Sequence, residues 1–255
     1  DVKQYSKTTL IIIGMAALGW SFWSNAGWLQ LCAGLALFLF GMQCLEEGLQ
    51  QLAGGRLEQL LGRSTSTPLK ALLFGTGAPF VLQSSTLVSL LTIAFLSTGL
   101  ISLAGGIAVI FGANLGATSG IWLLAMAGQN LSLSPLALPL MVFGVLAGFT
   151  SPAGKGGGRI LLGIAFIFLA IDQIKGGFAS FGDTLDMTTL SGSGLLGTLL
   201  FTGIGIAITV VLQSSHATLM LTLAALSGGQ VGLDQSLAIA IGSNVGSAVT
   251  TGVMG

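Results

Sequence analysis

Charged residues are scarce in this sequence. Of 255 residues, eight are Lys or Arg and eight are Asp or Glu, so only 6% are charged, whereas about a quarter of a soluble domain is charged. Mean hydropathy is +0.94, and a soluble globular domain is therefore excluded. The formal net charge is zero, so the sequence lacks the excess of positive charge that is typical of nucleic-acid-binding proteins.

Cysteine and histidine are nearly absent. Cys32 and Cys44 lie twelve residues apart in one predicted helix, too far along its axis to form a disulfide, and no spacing typical of a transition-metal site occurs. The lone His216 follows Ser214 and Ser215, but neighbours on a helix do not face one another, and no GxSxG elbow is present. We therefore predict no enzymatic activity, no organic cofactor and no metal other than sodium.

Apolar runs extend along the whole chain. They include residues 8–23, 27–44, 103–127, 159–171 and 194–212, although several are shorter than the roughly 20 residues that a straight membrane span needs. The first run is followed by bulky residues and not by a signal-peptide cleavage site, so it is predicted to be a span. The 40 glycines permit close helix contacts and local helix breaks. The predicted fold class is an all-α polytopic membrane protein.

The sequence also contains an internal duplication. A shift of 130 positions aligns residues 81–116 with residues 211–246 without a gap, and each copy begins with VLQSS and ends with a GxNxG motif, GANLG or GSNVG. A shift of 129 extends the match upstream, where residues 34–48 align with residues 163–177. Each unit is thus predicted to contain a helix, a polar-tipped region and a second helix.

Basic residues indicate the orientation of these units. They cluster at Lys3 and Lys7, between residues 56 and 70, and at Lys155 and Arg159, and the positive-inside rule places all three clusters in the cytoplasm. An even number of crossings between the last two clusters requires a re-entrant helical hairpin that turns at VLQSS. The N-terminus is then cytoplasmic, and the repeats have inverted topology, as in many secondary transporters.

The domain organisation follows from the duplication. Residues 1–255 are predicted to form a single transmembrane transport domain, with repeat 1 at 27–150 and repeat 2 at 151–255. Each repeat has a re-entrant hairpin and a broken or glycine-rich transmembrane helix. By analogy with repeat 1, one more span is expected after residue 255, so repeat 2 is expected to be incomplete at its C-terminus.

The two VLQSS copies place an amide and two hydroxyls inside apolar segments. Such groups need hydrogen-bond partners, so they either line a cavity or join helices together; their occurrence in two inverted units favours a binding site. No Lys or Arg lies between Lys70 and Lys155, and Glu46 and Glu47 are assigned to a solvated cytoplasmic face. The predicted site is neutral, which suits an oxyanion held by hydroxyls, amides and helix N-termini and accompanied by sodium.

The QSS copies, the GANLG and GSNVG motifs and the upstream GLALFLFGMQCLEEGLQQLAGGRLEQLLGR resemble the type II sodium/phosphate cotransporter family and its bacterial members. The resemblance covers residues 34–251. It implies a sodium-coupled importer of inorganic phosphate in the plasma membrane, here a bacterial inner membrane, surrounded by membrane lipids. It also implies that phosphate is held between the two QSS hairpin tips at the repeat interface.

The resemblance implies roles for individual residues. The implied phosphate-binding residues are Ser84, Ser85, Thr86, Asn114, Ser214, Ser215 and Asn244. The implied sodium-binding residues are Gln83, Gln213, Ser214, Ser247, Thr250 and Thr118. The counterparts of Ser247 and Thr250 in repeat 1 are Ala117 and Gly120, which have no side-chain oxygen. His216 stands where the family often has serine, and it is either a pH-sensitive contact or a core residue.

Two other functions are compatible with the same residues. A phosphate or anion channel uses similar polar tips as a filter, and a phosphate sensor binds without transporting. Uptake of phosphate against its concentration gradient would distinguish a transporter from a channel. A homo-oligomer is compatible with the sequence, because glycine-rich helix faces pack against other helices both within a subunit and between subunits.

Overall fold

The computed structural model describes residues 2–53, 55–130, 133–180 and 194–254, and regular secondary structure in these residues is helical throughout. The helices are α1 (Val2–Ser24), α2 (Ala26–Ala53), α3 (Arg56–Ser64), α4 (Pro68–Leu82), α5 (Ser85–Ser97), α6 (Leu103–Asn130), α7 (Ser134–Gly148), α8 (Pro152–Ala179), α9 (Leu195–Leu212), α10 (Ser215–Ser227) and α11 (Leu233–Met254). The predicted all-α class is confirmed.

Five helical segments in this part of the chain are long and apolar enough to cross a membrane. They are Ala26–Ala53, Leu103–Trp122, Pro152–Ala179, Leu195–Leu212 and Leu233–Val253. The segment from Ile11 to Ser24 is apolar but shorter, so the prediction that the first run spans the membrane stays a prediction. Large apolar side chains cover the outer surface of the molecule, which suits contact with lipid rather than with water. The chain has the composition and helix lengths of a multi-pass membrane protein.

Helices α2 and α8, which open the two predicted repeats, pack against each other in antiparallel orientation. A β-carbon on Gly34 would stand 2.8 Å from the backbone nitrogen of Ile174, and one on Gly48 would stand 2.6 Å from the carbonyl oxygen of Gly156. The contacts move toward the start of α8 as they move toward the end of α2, which defines the antiparallel direction. Glycine is required here because any side chain would separate the two backbones.

The same helix contact occurs in both halves of the molecule. In the first half, Gly75 of α4 lies against the backbone of Val109 in α6, and in the second half Gly205 of α9 lies against the backbone of Ile239 in α11. The corresponding residues are 130 positions apart. The sequence duplication is thus accompanied by a duplicated mode of packing.

The two halves of the molecule also contact each other through their short helices. Helix α5 of the first half packs against α11 of the second, and α10 of the second packs against α6 of the first. One apolar core lies among α2, α8 and α10, with Phe38 and Ile174 at its centre. A second core is formed by α3, α4, α5 and α6 and includes Leu61 and Val109. This arrangement brings the N-termini of α5 and α10 to the interface between the halves.

Candidate functional site

Each VLQSS segment is a break between two helices. Helix α4 ends at Leu82 and α9 ends at Leu212, and the following residues, Gln83 and Gln213, both have φ 55° and ψ 24°. They are the described non-glycine residues with positive φ, a conformation that is uncommon for glutamine. Identical strained geometry at both copies indicates that the surrounding structure holds the break in place.

The amide of each glutamine is used to close the break. Gln83 Nε2 donates to the carbonyl oxygen of Phe80 at 2.7 Å, and Gln213 Nε2 donates to that of Val210 at 2.6 Å. These bonds satisfy a carbonyl of the last turn, which would otherwise be exposed at the helix end. The amide oxygen of Gln83 lies beside Gly120 of α6.

The serines that follow begin the next helices. Ser84 Oγ accepts from the backbone N–H of Leu87 at 3.3 Å, and Ser214 Oγ accepts from that of Ala217 at 3.2 Å. Serine is favoured at this position because its oxygen satisfies one of the free N–H groups of the first turn. Ser85 and Ser215 are then the first helical residues of α5 and α10. Each break therefore presents hydroxyls and a helix N-terminus together.

The two breaks share one cavity of about 80 Å³. It lies at the contact between the halves, and both contribute side chains to it. The lining residues are Met42, Glu46, Gln83, Ser84, Ser85, Thr86, Thr209, Gln213, Ser214, Ser215, His216, Ser247 and Thr250. No lysine or arginine lines the cavity among these described residues, so any anion here is held by hydroxyls, amides and the N-termini of α5 and α10.

Ten of the thirteen residues implied by the resemblance line this cavity. The three others, Asn114, Asn244 and Thr118, are exposed on the outer side of α6 and α11. Asn114 donates to the carbonyl oxygen of Ile110 at 3.2 Å, and Thr118 donates to that of Leu115 at 2.7 Å. Asn114 and Thr118 are four residues apart and share one helix face, whereas the face that carries Gly116 packs against α4.

Glu46 is a functional candidate that sequence reasoning missed. It was assigned to a solvated face, but it lines the cavity one helical turn after Met42. Its carboxylate accepts from Gln50 Nε2 at 3.2 Å and lies within hydrogen-bonding reach of Ser84. The cavity therefore contains a carboxyl group that the expectation of a neutral site did not include. Its four-residue spacing from Met42 and Gln50 places all three on one face of α2, and this pattern was the available signal.

Glu47, the adjacent carboxylate, lies in a different environment. It forms an ion pair with Arg159 of α8 and receives a hydrogen bond from Gln43 at 3.1 Å. Neighbouring positions on a helix point about 100° apart, so the two glutamates meet different partners. Glu47 joins the opening helices of the two repeats, and Glu46 faces the cavity.

Thr209 is a second cavity residue that the sequence did not suggest. It is 1% exposed, and its hydroxyl shares a 2.8 Å hydrogen bond with that of Thr218. The residues 130 positions earlier are Pro79 and Val88, which have no side-chain oxygen. The polar pair is therefore confined to the second half of the molecule.

Comparison with known proteins identifies the family. The sequence matches the model of a family described as Na+/Pi-cotransporter over residues 37–176, which is more than half of the chain. The chain belongs to the Na+/Pi-cotransporter family. This confirms the resemblance drawn from the QSS and GxNxG motifs. Na+/Pi cotransporters are transporters and not enzymes, and the family name indicates phosphate and sodium as transported species.

Curated relatives match most of this chain. A protein of Escherichia coli K12 named "Putative inorganic phosphate export protein YjbB" is 29% identical over 224 residues, which are 86% of this chain and 40% of that protein. A Bacillus subtilis protein named "Uncharacterized protein YqeW" is 28% identical over 220 residues, which are 85% of this chain and 69% of that protein. The chain thus spans about 40% of the length of the first of these relatives. No solved structure matches the chain.

Proposed function

We propose that this protein is a sodium-coupled phosphate transporter that holds phosphate between its two QSS breaks. The observation that carries the proposal is that both breaks open into one cavity. Two helix N-termini and the hydroxyls of Ser84, Ser85, Ser214 and Ser215 meet there. Helix N-termini bind phosphate because their free N–H groups and dipoles favour negative charge. Thr86 completes the proposed phosphate contacts on the first-half side.

Sodium is proposed to bind on the second-half side of the cavity. Gln213, Ser214, Ser247 and Thr250 line it together, and amide and hydroxyl oxygens are suitable ligands for a hard monovalent cation. A cation at this position offsets the charge of phosphate where no basic side chain does so. The exposed positions of Asn114, Asn244 and Thr118 do not favour a direct role for these three residues.

The architecture that we propose is a single transport domain of two inverted repeats, residues 27–150 and 151–255. The antiparallel packing of α2 against α8 supports opposite orientations of the two units. Two short hairpins, α4 with α5 and α9 with α10, would then enter the bilayer from opposite sides as re-entrant elements. Breaks at membrane depth are tolerated where they line a cavity. The proposed location is the bacterial inner membrane, with the N-terminus cytoplasmic.

The direction of net transport is proposed to be inward. A coupled carrier moves its substrate in whichever direction the summed gradients drive, and an inward sodium gradient favours phosphate import. The name of the Escherichia coli relative describes export for that protein. Reversing the sodium gradient is therefore part of the test.

The proposal is tested by labelled phosphate uptake into proteoliposomes that contain the purified chain. We expect phosphate to accumulate above its external concentration under an inward sodium gradient, and not under an equal potassium gradient. Reversing the sodium gradient should drive phosphate out of loaded vesicles. Uptake that only equilibrates, without regard to sodium, would instead indicate a channel. Phosphate binding without any flux would indicate a sensor.

Glu46 provides a separate prediction about substrate affinity. Its carboxylate lies in the cavity that is proposed to bind phosphate, where like charges repel strongly in a low dielectric. Glu46→Gln removes that charge and preserves the shape of the side chain. We expect the phosphate KM at saturating sodium to fall by about 3- to 10-fold. The matched control is Glu58→Gln, which removes the same charge from the exposed face of α3.

A weaker phosphate affinity in Glu46→Gln would contradict this expectation. It would mean that the carboxylate contributes to binding, for example by holding a cation beside phosphate, because glutamine keeps a hydrogen-bond donor and removes only the charge. An equal change in Glu58→Gln would assign the effect to overall charge and not to the cavity.

A further inference from the structure

The hydroxyls around the cavity are distributed asymmetrically. Three of them, on Thr209, Ser247 and Thr250, come from α9 and α11 of the second half. The residues 130 positions earlier are Pro79, Ala117 and Gly120. None of these has a side-chain oxygen, and neither Ala117 nor Gly120 is among the residues that line the cavity. The oxygens that could complete a cation site are therefore present on one side only.

His216 stands at the corresponding place on the other side. It belongs to α10 of the second half, but its ring lies beside Gly120 on α6 of the first half. A β-carbon on Gly120 would stand 2.7 Å from His216 Nε2 and 3.0 Å from Cδ2. Glycine at this position makes room for the imidazole, because any side chain would collide with the ring.

The imidazole is buried between polar neighbours. His216 is 8% exposed, the backbone of Ala117 lies within hydrogen-bonding reach of its ring, and its Nε2 makes no hydrogen bond of ordinary geometry among the described residues. The β-carbon built on Gly120 would also contact Gln83 Oε1. Gln83 Oε1 and His216 Nε2 therefore converge on the same small space beside α6. A buried nitrogen without a partner is costly, so its neighbours determine what this space can hold.

The second half has a different arrangement at the equivalent position. Gln213 has the same backbone angles as Gln83 and makes the same bond to the third residue before it, and it lines the cavity together with Thr250 of α11. Thr250 is the counterpart of Gly120, and the counterpart of His216 is Thr86. Small hydroxyl side chains thus replace the imidazole and leave space for an ion.

We propose that the His216 imidazole takes, in the first half, the place that sodium takes in the second, so that the cavity has one cation site and not a symmetric pair. The inference rests on the proposed sodium-coupled function and specifies its stoichiometry at this site. The ring fills the space beside Gly120, next to Gln83 Oε1, the oxygen that would otherwise face a cation.

The packing part of this inference is tested without transport. Gly120→Ala places a methyl group against the imidazole and should lower the thermal unfolding temperature of the detergent-solubilised chain. His216→Ser should restore part of that loss in the double variant, because Gln83 Oε1 still lies against the methyl group, and such a coupling is not shown by independent sites. Gly77→Ala is the matched control, because no atom lies within 4 Å of the β-carbon built on Gly77. Additive effects of Gly120→Ala and His216→Ser would overturn the proposal.

The stoichiometric part is tested by rebuilding the absent site. The triple variant Ala117→Ser, Gly120→Thr, His216→Ser copies the residues of the second half into the first. The ratio of labelled sodium to labelled phosphate taken up by proteoliposomes should rise by about one relative to the wild type. The sodium dependence of uptake should also become steeper. His216→Ser alone removes the ring but leaves Ala117 and Gly120 without side-chain oxygens, so its ratio should stay close to that of the wild type.

The outcomes separate this inference from the proposed function. If the wild type shows no sodium-driven uptake, the proposed function fails, whereas coupled unfolding of Gly120→Ala and His216→Ser still supports the packing. If the wild type transports with sodium and the triple variant transports with an unchanged ratio, only the inference fails. A higher ratio in His216→Ser alone would also support it, because the space that the ring leaves would then admit an ion.

Discussion

Replacing Gln213 with alanine should reduce sodium-driven phosphate uptake by about 10- to 100-fold, since interactions with a charged partner typically contribute 1.5–3 kcal/mol. The side chain is proposed to supply an oxygen to sodium, and its nitrogen closes the helix break by donating to Val210. Both functions are lost together in the alanine variant. The measurement is the initial rate of phosphate uptake into proteoliposomes as a function of sodium concentration.

Backbone strain requires a specific control for this variant. Residue 213 has φ 55°, which glycine adopts freely and alanine does not. Gln213→Gly therefore removes the amide while relieving the strain. Both variants should lose uptake if the amide is the cause. Recovery of uptake in Gln213→Gly would show instead that alanine acted through the backbone, and that the proposed sodium ligand is not needed.

A valine at Gly205 should destabilise the fold by roughly 3 kcal/mol or more, at the upper end of the cost of overpacking. The β-carbon at this position would collide with the carbonyl of Ile239 in α11, and a backbone atom cannot move aside as the end of a side chain can. The rigid packing of α9 on α11 would have to open. The measurement is the thermal unfolding temperature in detergent, together with the yield of monodisperse protein.

Gly203 is the matched control on the same helix. No atom lies within 4 Å of a β-carbon built there, and Gly203→Val carries the same β-branched penalty as Gly205→Val. We expect the Gly203 variant to remain close to the wild type. Similar losses in both variants would contradict the argument, because they would trace the effect to helix propensity and not to contact with α11.

The helix breaks are the part of the site that local sequence predicts well. An N-cap serine satisfies an N–H of its own helix, and a glutamine in the left-handed conformation bonds a carbonyl three residues earlier. Both interactions lie within a few residues of the motif, so each VLQSS copy contains the information for its own geometry. The duplication then predicts that the geometry occurs twice, and Gln83 and Gln213 have the same angles.

The lining of the cavity is predicted less completely. The resemblance implied that Asn114 contacts phosphate, and the charge pattern placed Glu46 on a solvated face. In the structure Asn114 is exposed, and Glu46 lines the cavity. The direction of a helical side chain depends on which face of the helix meets its neighbours. Nearly every face of these helices is apolar, so the pattern of hydrophobicity does not distinguish a face that packs on protein from one that meets lipid.

By itself, the sequence determined the membrane class, the duplicated units and the position of each helix break, because these depend on composition and on contacts between near neighbours. The tertiary structure alone decided that Glu46, Thr209 and His216 meet at one cavity, since they come from α2, α9 and α10. It also decided that His216 occupies the space beside Gly120, a contact across 96 positions of sequence. Such contacts arise from close packing between helices whose glycines are far apart in the chain.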